Sequence, residues 1–405
     1  MAKENLTSAK NAKNDEFYTK FSDIQREIEA YLDFNQEAFA GKVVYCNCDD
    51  PYESNFFRYF VLNFKKLGLK RLITTSFKPS PIANTQLVLD IDFEPSSSKG
   101  RPKATANKFV INKVRNVDIG GSFSLADVAE QLKANKNNEW SPLEGDGDFR
   151  SDECIKLLKE SDIVVTNPPF SLFREYVKQI VDHGKKFVIV GSKNAITYRE
   201  IFPLIKSNEM WVGASGFSQD MLFIAPQGED LSEKPKTALR VVDGVTYLRS
   251  PSIWFTNLDH GRRHQPLQLM SMKDNLRYNK KMLGQSSYVS YDNYDAIDVP
   301  FTNAIPNDYD GIMGVPISFL DKYNPEQFEI IALGNSKENF SPNKVYENAK
   351  KILKDGRIQN GNAINNVLAI KTETPPNDQI YYKDGHQILM APYARILIKS
   401  KKVSK

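Results

Sequence analysis

Asn167-Pro168-Pro169-Phe170 is the stretch of this chain whose residue types and spacing carry the most chemistry. Two consecutive prolines fix the backbone and remove two N–H donors, so nearby carbonyls can accept from something other than the chain itself. The Asn167 side-chain oxygen and the Pro168 carbonyl could each accept one N–H of an exocyclic ring amine such as that of adenine. Such a nitrogen is a poor nucleophile because its lone pair is delocalised into the ring. Two acceptors draw it toward a tetrahedral shape and aim the lone pair at an electrophilic methyl group. Phe170 would stack on the base and hold its plane. No general base is needed, since the proton becomes acidic once the methyl has transferred. The plain alternative is a rigid strand-to-helix turn without chemistry. With proline at about 5% of residues, an Asp or Asn followed by Pro-Pro-aromatic arises by chance in roughly one such chain in a hundred.

The surrounding elements favour the chemical reading. The apolar run Asp162 to Thr166 predicts a strand that ends at Asn167, and Leu172 to Val181 predicts a helix directly after it. In an open α/β sheet, ligands sit at the carboxyl ends of strands, where this tetrapeptide falls. Upstream, Lys42 to Cys48 reads as a buried strand running into Asp49-Asp50-Pro51, Glu53 to Leu67 as an amphipathic helix closed by Gly68, and Lys70 to Phe77 as a second strand. Strand, helix and strand in that order predict a parallel βαβ unit. Ser22 to Phe39 has helical spacing, Lys186 to Val190 reads as a strand and Val245 to Asn257 as further strand structure. Leu87 to Phe93 and Lys108 to Val114 read as two strands of a ribbon, with a basic, Ser-rich insertion near residues 95–108 between them. Gly145-Asp-Gly-Asp148-Phe149-Arg150 is no dinucleotide fingerprint, because no apolar strand precedes it and the third glycine is missing.

The domain reading follows: a flexible basic arm over residues 1–14, an α/β catalytic domain over 15–257, and a C-terminal region over 258–405 where the helix–strand rhythm breaks down. Hydrophobic residues at 40% supply a sizeable core and exclude disorder along the whole length. Three cysteines exclude a disulfide scaffold and point to a reducing, cytoplasmic compartment. The N-terminal stretch is too polar for a signal peptide, and no apolar run approaches a membrane span. His260 and His264 stand four apart without a third ligand, so no metal is expected; phosphate or base contact, or plain exposure, is the reading for the pair. The formal net charge of +4 argues for nucleic acid only where it clusters. It clusters in Arg262, Arg263, Lys273, Arg277, Lys280 and Lys281, against the one acid Asp274, and again after Asp384. A solvated basic face is the bland alternative there.

Taken together, DEFYT (15–19), KVVYCNCDDP (42–51), GDGDFRS (145–151), SDIVVTNPPFSLF (161–173), YDNYDAI (291–297), MGVPISFL (313–320), NPEQFE (324–329) and RILIK (395–399) resemble the EcoRI-type family of N6-adenine DNA methyltransferases over nearly the whole chain. The resemblance implies a Rossmann-like, S-adenosylmethionine-dependent methyltransferase sheet with helices on both faces, followed by a C-terminal target-recognition region. It implies that Phe17, Tyr18 and Thr19 border the methionine part of the cofactor, Asn47, Cys48, Asp49 and Asp50 its amino-acid and ribose parts, and Asp148 and Phe149 its adenine. Asn167, Pro168, Pro169 and Phe170 would hold a target adenine flipped out of double-stranded DNA. The implied protein is a monomeric modification enzyme or orphan methylase. A cognate restriction endonuclease would act on the same site without stable contact.

Two departures from the usual methyltransferase pattern stand out. The Gly-rich loop after the first strand is replaced by CNCDDP, and the second strand ends in hydroxyls instead of an acid. The insertion near 95–108 and the stretch from Asn335 to Met390 exceed the family's plain form. Two other classes remain open on the residues alone: a protein glutamine-N5 methyltransferase, and a DNA-binding module with an inactive methyltransferase fold.

Overall fold

The computed structural model describes residues 18–48, 54–77, 106–115, 131, 136–217, 220–224, 234–335 and 341–401. The expected arm, the strand at Leu87 to Phe93, residues 95–105 of the insertion, and Phe17, Asp49 and Asp50 lie outside them. The chain forms two compact units, Met1–Lys193 with Val212–Gly261, and Asn194–Trp211 with Arg262–Lys405. Asn194–Trp211 therefore groups with the second unit, whereas the sequence leaves it in the first.

Two sheets build the first unit. Strands β1 (Tyr18–Thr19), β2 (Val43–Asn47), β3 (Arg71–Thr75), β4 (Asn107–Ile111), β5 (Glu139–Pro142), β6 (Ile163–Thr166), β7 (Lys186–Ser192), β8 (Trp211–Val212), β9 (Met221–Ile224), β10 (Leu239–Val242), β11 (Val245–Ser250) and β12 (Ser252–Thr256) divide between them. The large sheet has the order β5-β4-β3-β2-β6-β7-β12-β8. Its central strands β3, β2, β6 and β7 are parallel, while β4, β5 and β12 pair antiparallel with their neighbours. Strand order reverses between β2 and β6, which is where an open sheet leaves a crevice at its carboxyl ends. The small sheet, β1-β9-β11-β10, is antiparallel. The expected strand near Lys108 is thus β4, paired with β3 and β5. The expected stretch from Val245 to Asn257 is two strands in two different sheets, parted at Pro251, which has no N–H to continue a ladder.

Helices pack on both faces of the large sheet. Helix α1 (Phe21–Phe34) brings Ile24, Ile28 and Tyr31, and α2 (Asn55–Leu62) brings Phe56, Phe57 and Phe60, to a core with Val44, Cys46, Val165 and Val190. Ser54 caps α2 by accepting from the N–H groups of Phe56 (3.1 Å) and Phe57 (3.4 Å), a cap worth about 1 kcal/mol. The next residue along each strand points to the other face. Tyr45 meets Cys154 of α3 (Asp152–Glu160), and Phe255 meets Phe173 of α4 (Phe173–Asp182) at 5.3 Å between rings. This alternation is the period of two that a sheet buried on both faces requires.

The second unit holds α5 (Phe202–Lys206), α6 (Met272–Tyr278) and two five-stranded sheets. The first sheet contains β13 (Val289–Ser290), β14 (Ala296–Asp298), β15 (Ile312–Pro316), β16 (Phe328–Leu333) and β22 (Arg395–Ser400), in the order β13-β14-β15-β22-β16. The second sheet is antiparallel and lies wholly within the connection between the paired strands β16 and β22. It comprises β17 (Lys350–Ile352), β18 (Ile358–Asn360), β19 (Ile370–Thr372), β20 (Tyr381–Asp384) and β21 (Gln387–Met390). The described part of the long stretch after Asn335, residues 341–390, therefore contains a folded sheet with its own core of Tyr346, Ile364, Tyr382 and Leu389.

Candidate active site

The carboxyl ends of β2, β3 and β6 meet through side-chain hydrogen bonds. Thr166 at the end of β6 donates its hydroxyl to the Asn47 carbonyl at the end of β2. Thr75 at the end of β3 donates to the Asn47 side-chain oxygen at 3.1 Å, and Tyr45 shares the Thr75 hydroxyl at 3.1 Å. Asn47 is buried, so these bonds satisfy a group that would otherwise be costly there. The hydroxyls that end the second strand thus have internal partners. Thr75 serves Asn47, and buried Ser76 accepts from the Asn107 N–H at 2.9 Å. Cys48 follows with φ +62°, a left-handed conformation where a glycine would sit without strain, and its thiol donates to the Asn47 side-chain oxygen at 3.4 Å.

The loop leading to α3 crosses the end of β3. Gly147 has φ +80°, and a Cβ there would lie 2.0 Å from the Ser76 carbonyl oxygen, so only glycine allows this approach. It presents Asp148, whose carboxylate is held on both oxygens by Arg150, with Nε at 3.0 Å and Nη2 at 2.7 Å. Burial raises the Asp148 pKa, but the Arg150 hydrogen bonds and charge outweigh burial and set it below the ordinary carboxylate value. Arg150 also reaches Glu175 of α4 at 2.8 Å. Phe149 follows in the loop. It is only 2% exposed, packed edge-on against Tyr176 at 4.9 Å with the Arg150 guanidinium 5.3 Å from its ring centre. Its ring backs the loop from the core, which leaves Asp148 as the group the loop offers.

β6 hands directly to the tetrapeptide. Pro168 is buried, while Asn167, Pro169 and Phe170 are half-buried. The Pro169 carbonyl accepts from the Leu172 N–H at 3.0 Å, which starts the 3-10 turn Phe170–Leu172 ahead of α4. Phe170 meets Phe223 of β9 edge-on, with ring centres 6.4 Å apart. In register, Phe223 pairs with Thr19 of β1 and with Leu248 of β11. Thr19 is 2% exposed, and its carbonyl accepts from the Asn55 side chain at 2.8 Å. Its hydroxyl has no hydrogen-bond partner among the described residues. The small sheet therefore joins the Tyr18–Thr19 segment to the tetrapeptide. Phe223 and Arg150 were not singled out in the sequence, although Arg150 stands two residues after Asp148, a spacing at which a pair can form.

The basic stretch of the second unit divides. Arg262 pairs with Asp321 at 2.6 Å. Arg263 is only 7% exposed; its guanidinium lies 3.6 Å from the ring centre of Trp211 and donates to Asn208. Both guanidiniums are thus engaged within the unit, Arg263 almost wholly out of solvent. His260 is likewise buried, its Nε2 3.0 Å from the Val212 carbonyl, and His264 lies 3.6 Å from Glu326. Lys273, Arg277, Lys280 and Lys281 are exposed on and after α6, beside Tyr278 at 59% exposure. Ser271 caps this helix, and Asn275 and Asn279 are buried beneath it.

The motifs YDNYDAI, MGVPISFL and RILIK form one buried cluster. Arg395 donates to Asp298 at 2.8 Å, Tyr291 donates to Asp298 at 2.5 Å, and Gly314 leaves room for the Tyr291 hydroxyl. Asp292 accepts from Lys344 (2.6 Å) and Tyr346 (2.8 Å), which ties the second sheet to this frame.

Among the described residues no helix is long and apolar enough to cross a membrane, and no cluster of His, Cys, Asp and Glu could hold a metal ion. The family model of the adenine-specific methyltransferase EcoRI matches residues 5–401. The type II methyltransferase M.EcoRI of Escherichia coli is 41% identical over 359 residues, 87% of this chain and 97% of the relative. M.MpnI of Mycoplasma pneumoniae is 37% identical over 324 residues, covering 80% of this chain and 83% of the relative. M.MgeORF184P of Mycoplasma genitalium is 33% identical over 359 residues, 87% and 93% of the two chains. No solved structure matches.

Proposed function

The chain belongs to the family of EcoRI adenine-specific methyltransferases, and from that premise we propose that it methylates the N6 amine of an adenine flipped out of duplex DNA, with S-adenosylmethionine as donor. The observation that carries this reading is the placement of Asn167-Pro168-Pro169-Phe170 at the end of β6, hydrogen-bonded through Thr166 to the end of β2 at the reversal of strand order. Membership of this family favours DNA over the glutamine and inactive-module alternatives.

S-adenosylmethionine, when bound, supplies an electrophilic methyl group. The residues present fit it. The buried Thr19 hydroxyl without a partner calls for a polar ligand atom, since such a group left unsatisfied costs about 1–3 kcal/mol. Tyr18 and Thr19 would border the methionine part, Asn47 and Cys48 the amino-acid and ribose parts, and Asp148 the adenine, with Phe149 behind it. Each carboxylate oxygen has two lone pairs, so Asp148 can accept a further hydrogen bond while Arg150 holds it. Phe17, Asp49 and Asp50 complete the set in the sequence.

For the target base, Asn167 and the Pro168 carbonyl accept the two amine hydrogens and so localise the nitrogen lone pair. Phe170, braced edge-on by Phe223, stacks on the base. The amine is paired within the duplex, so the base must leave the stack, at a cost of a few kcal/mol offset by stacking and phosphate contacts. We assign phosphate contact to the exposed Lys273, Arg277, Lys280 and Lys281, catalysis to the first unit and target recognition largely to the second. The enzyme would act as a monomer, with any cognate endonuclease acting independently on the same site.

Asn167→Ala tests the assignment. Turnover should fall by about 10²–10³-fold or more, while S-adenosylmethionine affinity by calorimetry stays within a few fold. Wild-type turnover in this variant would refute it.

A further inference from the structure

The hairpin β10–β11 has features that its place in the small sheet does not require. Its two-residue turn, Asp243-Gly244, has positive φ at both positions (51° and 77°), the type I′ geometry that matches strand twist. Valines flank this turn on both faces. Val241 is 66% exposed on the face that continues from Leu248 and Phe223; Val245 is 49% exposed on the face of Arg240 and Tyr247. Lys236 and Arg240 are exposed beside them, and Asp243 is the hairpin's one acid. The base of the hairpin is anchored: Asp220 accepts from Arg249 at 2.8 Å and from Lys193 at 2.9 Å, and the Lys20 ammonium lies 4.7 Å from the Tyr247 ring centre.

Position relates the hairpin to the chemistry. Leu248 pairs with Phe223, which touches Phe170 of the tetrapeptide. Val241, paired with Thr246 two residues from Leu248, lies on the same face roughly 7 Å along the strand. A two-stranded ribbon fits the major groove, where a thymine displays its 5-methyl group. Every adenine in a duplex leaves a thymine behind when it flips.

We propose that the β10–β11 ribbon enters the major groove of duplex DNA beside the extruded adenine, with Val241, which shares the face of Leu248 and Phe223, against the methyl of the orphaned thymine and Arg240 on a backbone phosphate. The proposal rests on the methyltransferase reading above. It gives the catalytic unit a share of target recognition.

The test combines protein and DNA changes once the modified adenine has been mapped by sequencing. Replacing the thymine opposite it with deoxyuridine should lower wild-type kcat/KM by about three- to ten-fold, the worth of one apolar methyl contact. Val241→Ser should cause a similar loss on the thymine duplex and little further loss on the deoxyuridine duplex, while Val245→Ser, on the opposite face, should leave the thymine–deoxyuridine difference at its wild-type size. Arg240→Ala should leave that methyl effect intact and make the salt dependence of DNA binding shallower by about 0.9 in slope. Thermal melting and S-adenosylmethionine affinity should stay at wild-type values in all three. Additive losses from the Val241→Ser and deoxyuridine changes, or wild-type indifference to deoxyuridine, would overturn the proposal. Failure of the wild type to methylate adenine in duplex DNA would instead remove the methyltransferase reading beneath it.

Discussion

The strand ends of the first unit and the basic cluster of the second treat their polar residues in opposite ways. At the ends of β2, β3 and β6, Asn47, Thr75 and Thr166 are fixed by one another, and Asn167 follows directly on the end of β6. In the second unit, residues of one charge and similar spacing go to different fates. Arg262, Arg263 and Arg395 hold the unit together, while Lys273, Arg277 and Lys280 face solvent. A double proline at a strand end fixes the backbone by local properties alone, so such a motif marks its own place. Cationic side chains serve packing as readily as phosphate binding, because a long apolar stem can be buried beneath the charge.

The sharpest way to break that contrast is Asp298→Ala. Its carboxylate accepts from both Arg395 and Tyr291 and is almost entirely buried. Removing one partner of a buried ion pair costs about 3–5 kcal/mol, so chemical denaturation should show a loss of that size. A loss under about 1 kcal/mol, the worth of an exposed pair, would mean that the cluster is not a structural frame.

Paired arginine variants come next. Arg263→Ala removes a stacked, buried guanidinium and should cost about 2–3 kcal/mol. Arg277→Ala should alter stability by no more than about 0.5 kcal/mol, yet make the salt dependence of DNA binding shallower by about 0.9 in slope. If the two exchanged phenotypes, the division of the cluster would be inverted.

These cases show how much the sequence could disclose. The run Ile163–Thr166, the double proline and the following helix were legible because apolar continuity and missing N–H groups are local properties. The insertion of antiparallel β12 between β7 and β8 was not, because pairing order depends on chain segments far apart in sequence. The single stretch from Val245 to Asn257 concealed a change of sheet at Pro251, and β8 is two residues long, too short for any period. Similarly, nothing local separates Arg263 from Arg277; Trp211, which decides the matter, stands 52 residues before Arg263.

Asp148→Ala sharpens the first-unit side of the comparison. One lost hydrogen bond to a bound nucleoside is worth about 1–3 kcal/mol, so S-adenosylmethionine affinity should fall roughly ten-fold or more. Calorimetry showing an unchanged Kd would move the adenine pocket elsewhere. The pair with Arg150 also has a pH signature. The Asp148 pKa is lowered in the fold, so its stabilisation is complete above the unfolded carboxylate value and is lost as pH falls through the folded one. The difference in stability between wild type and Asp148→Ala should therefore narrow on acidification below about pH 4. A difference that widened there would contradict the pairing.

The smallest effect concerns Cys48. A non-glycine residue at φ +62° carries strain of about 1–2 kcal/mol, partly offset by the thiol's contact with Asn47. Cys48→Gly relieves the strain but adds about 0.4–1 kcal/mol of backbone freedom to the unfolded chain. The two terms nearly cancel, so this variant should melt at or slightly above the wild-type temperature. Cys48→Ala keeps the strain and loses the thiol contact, so it should melt below wild type. That order, glycine above alanine, reverses the order expected within a helix, where alanine is favoured by about 1 kcal/mol. Alanine melting above glycine would show that the backbone after β2 does not hold the left-handed turn at Cys48.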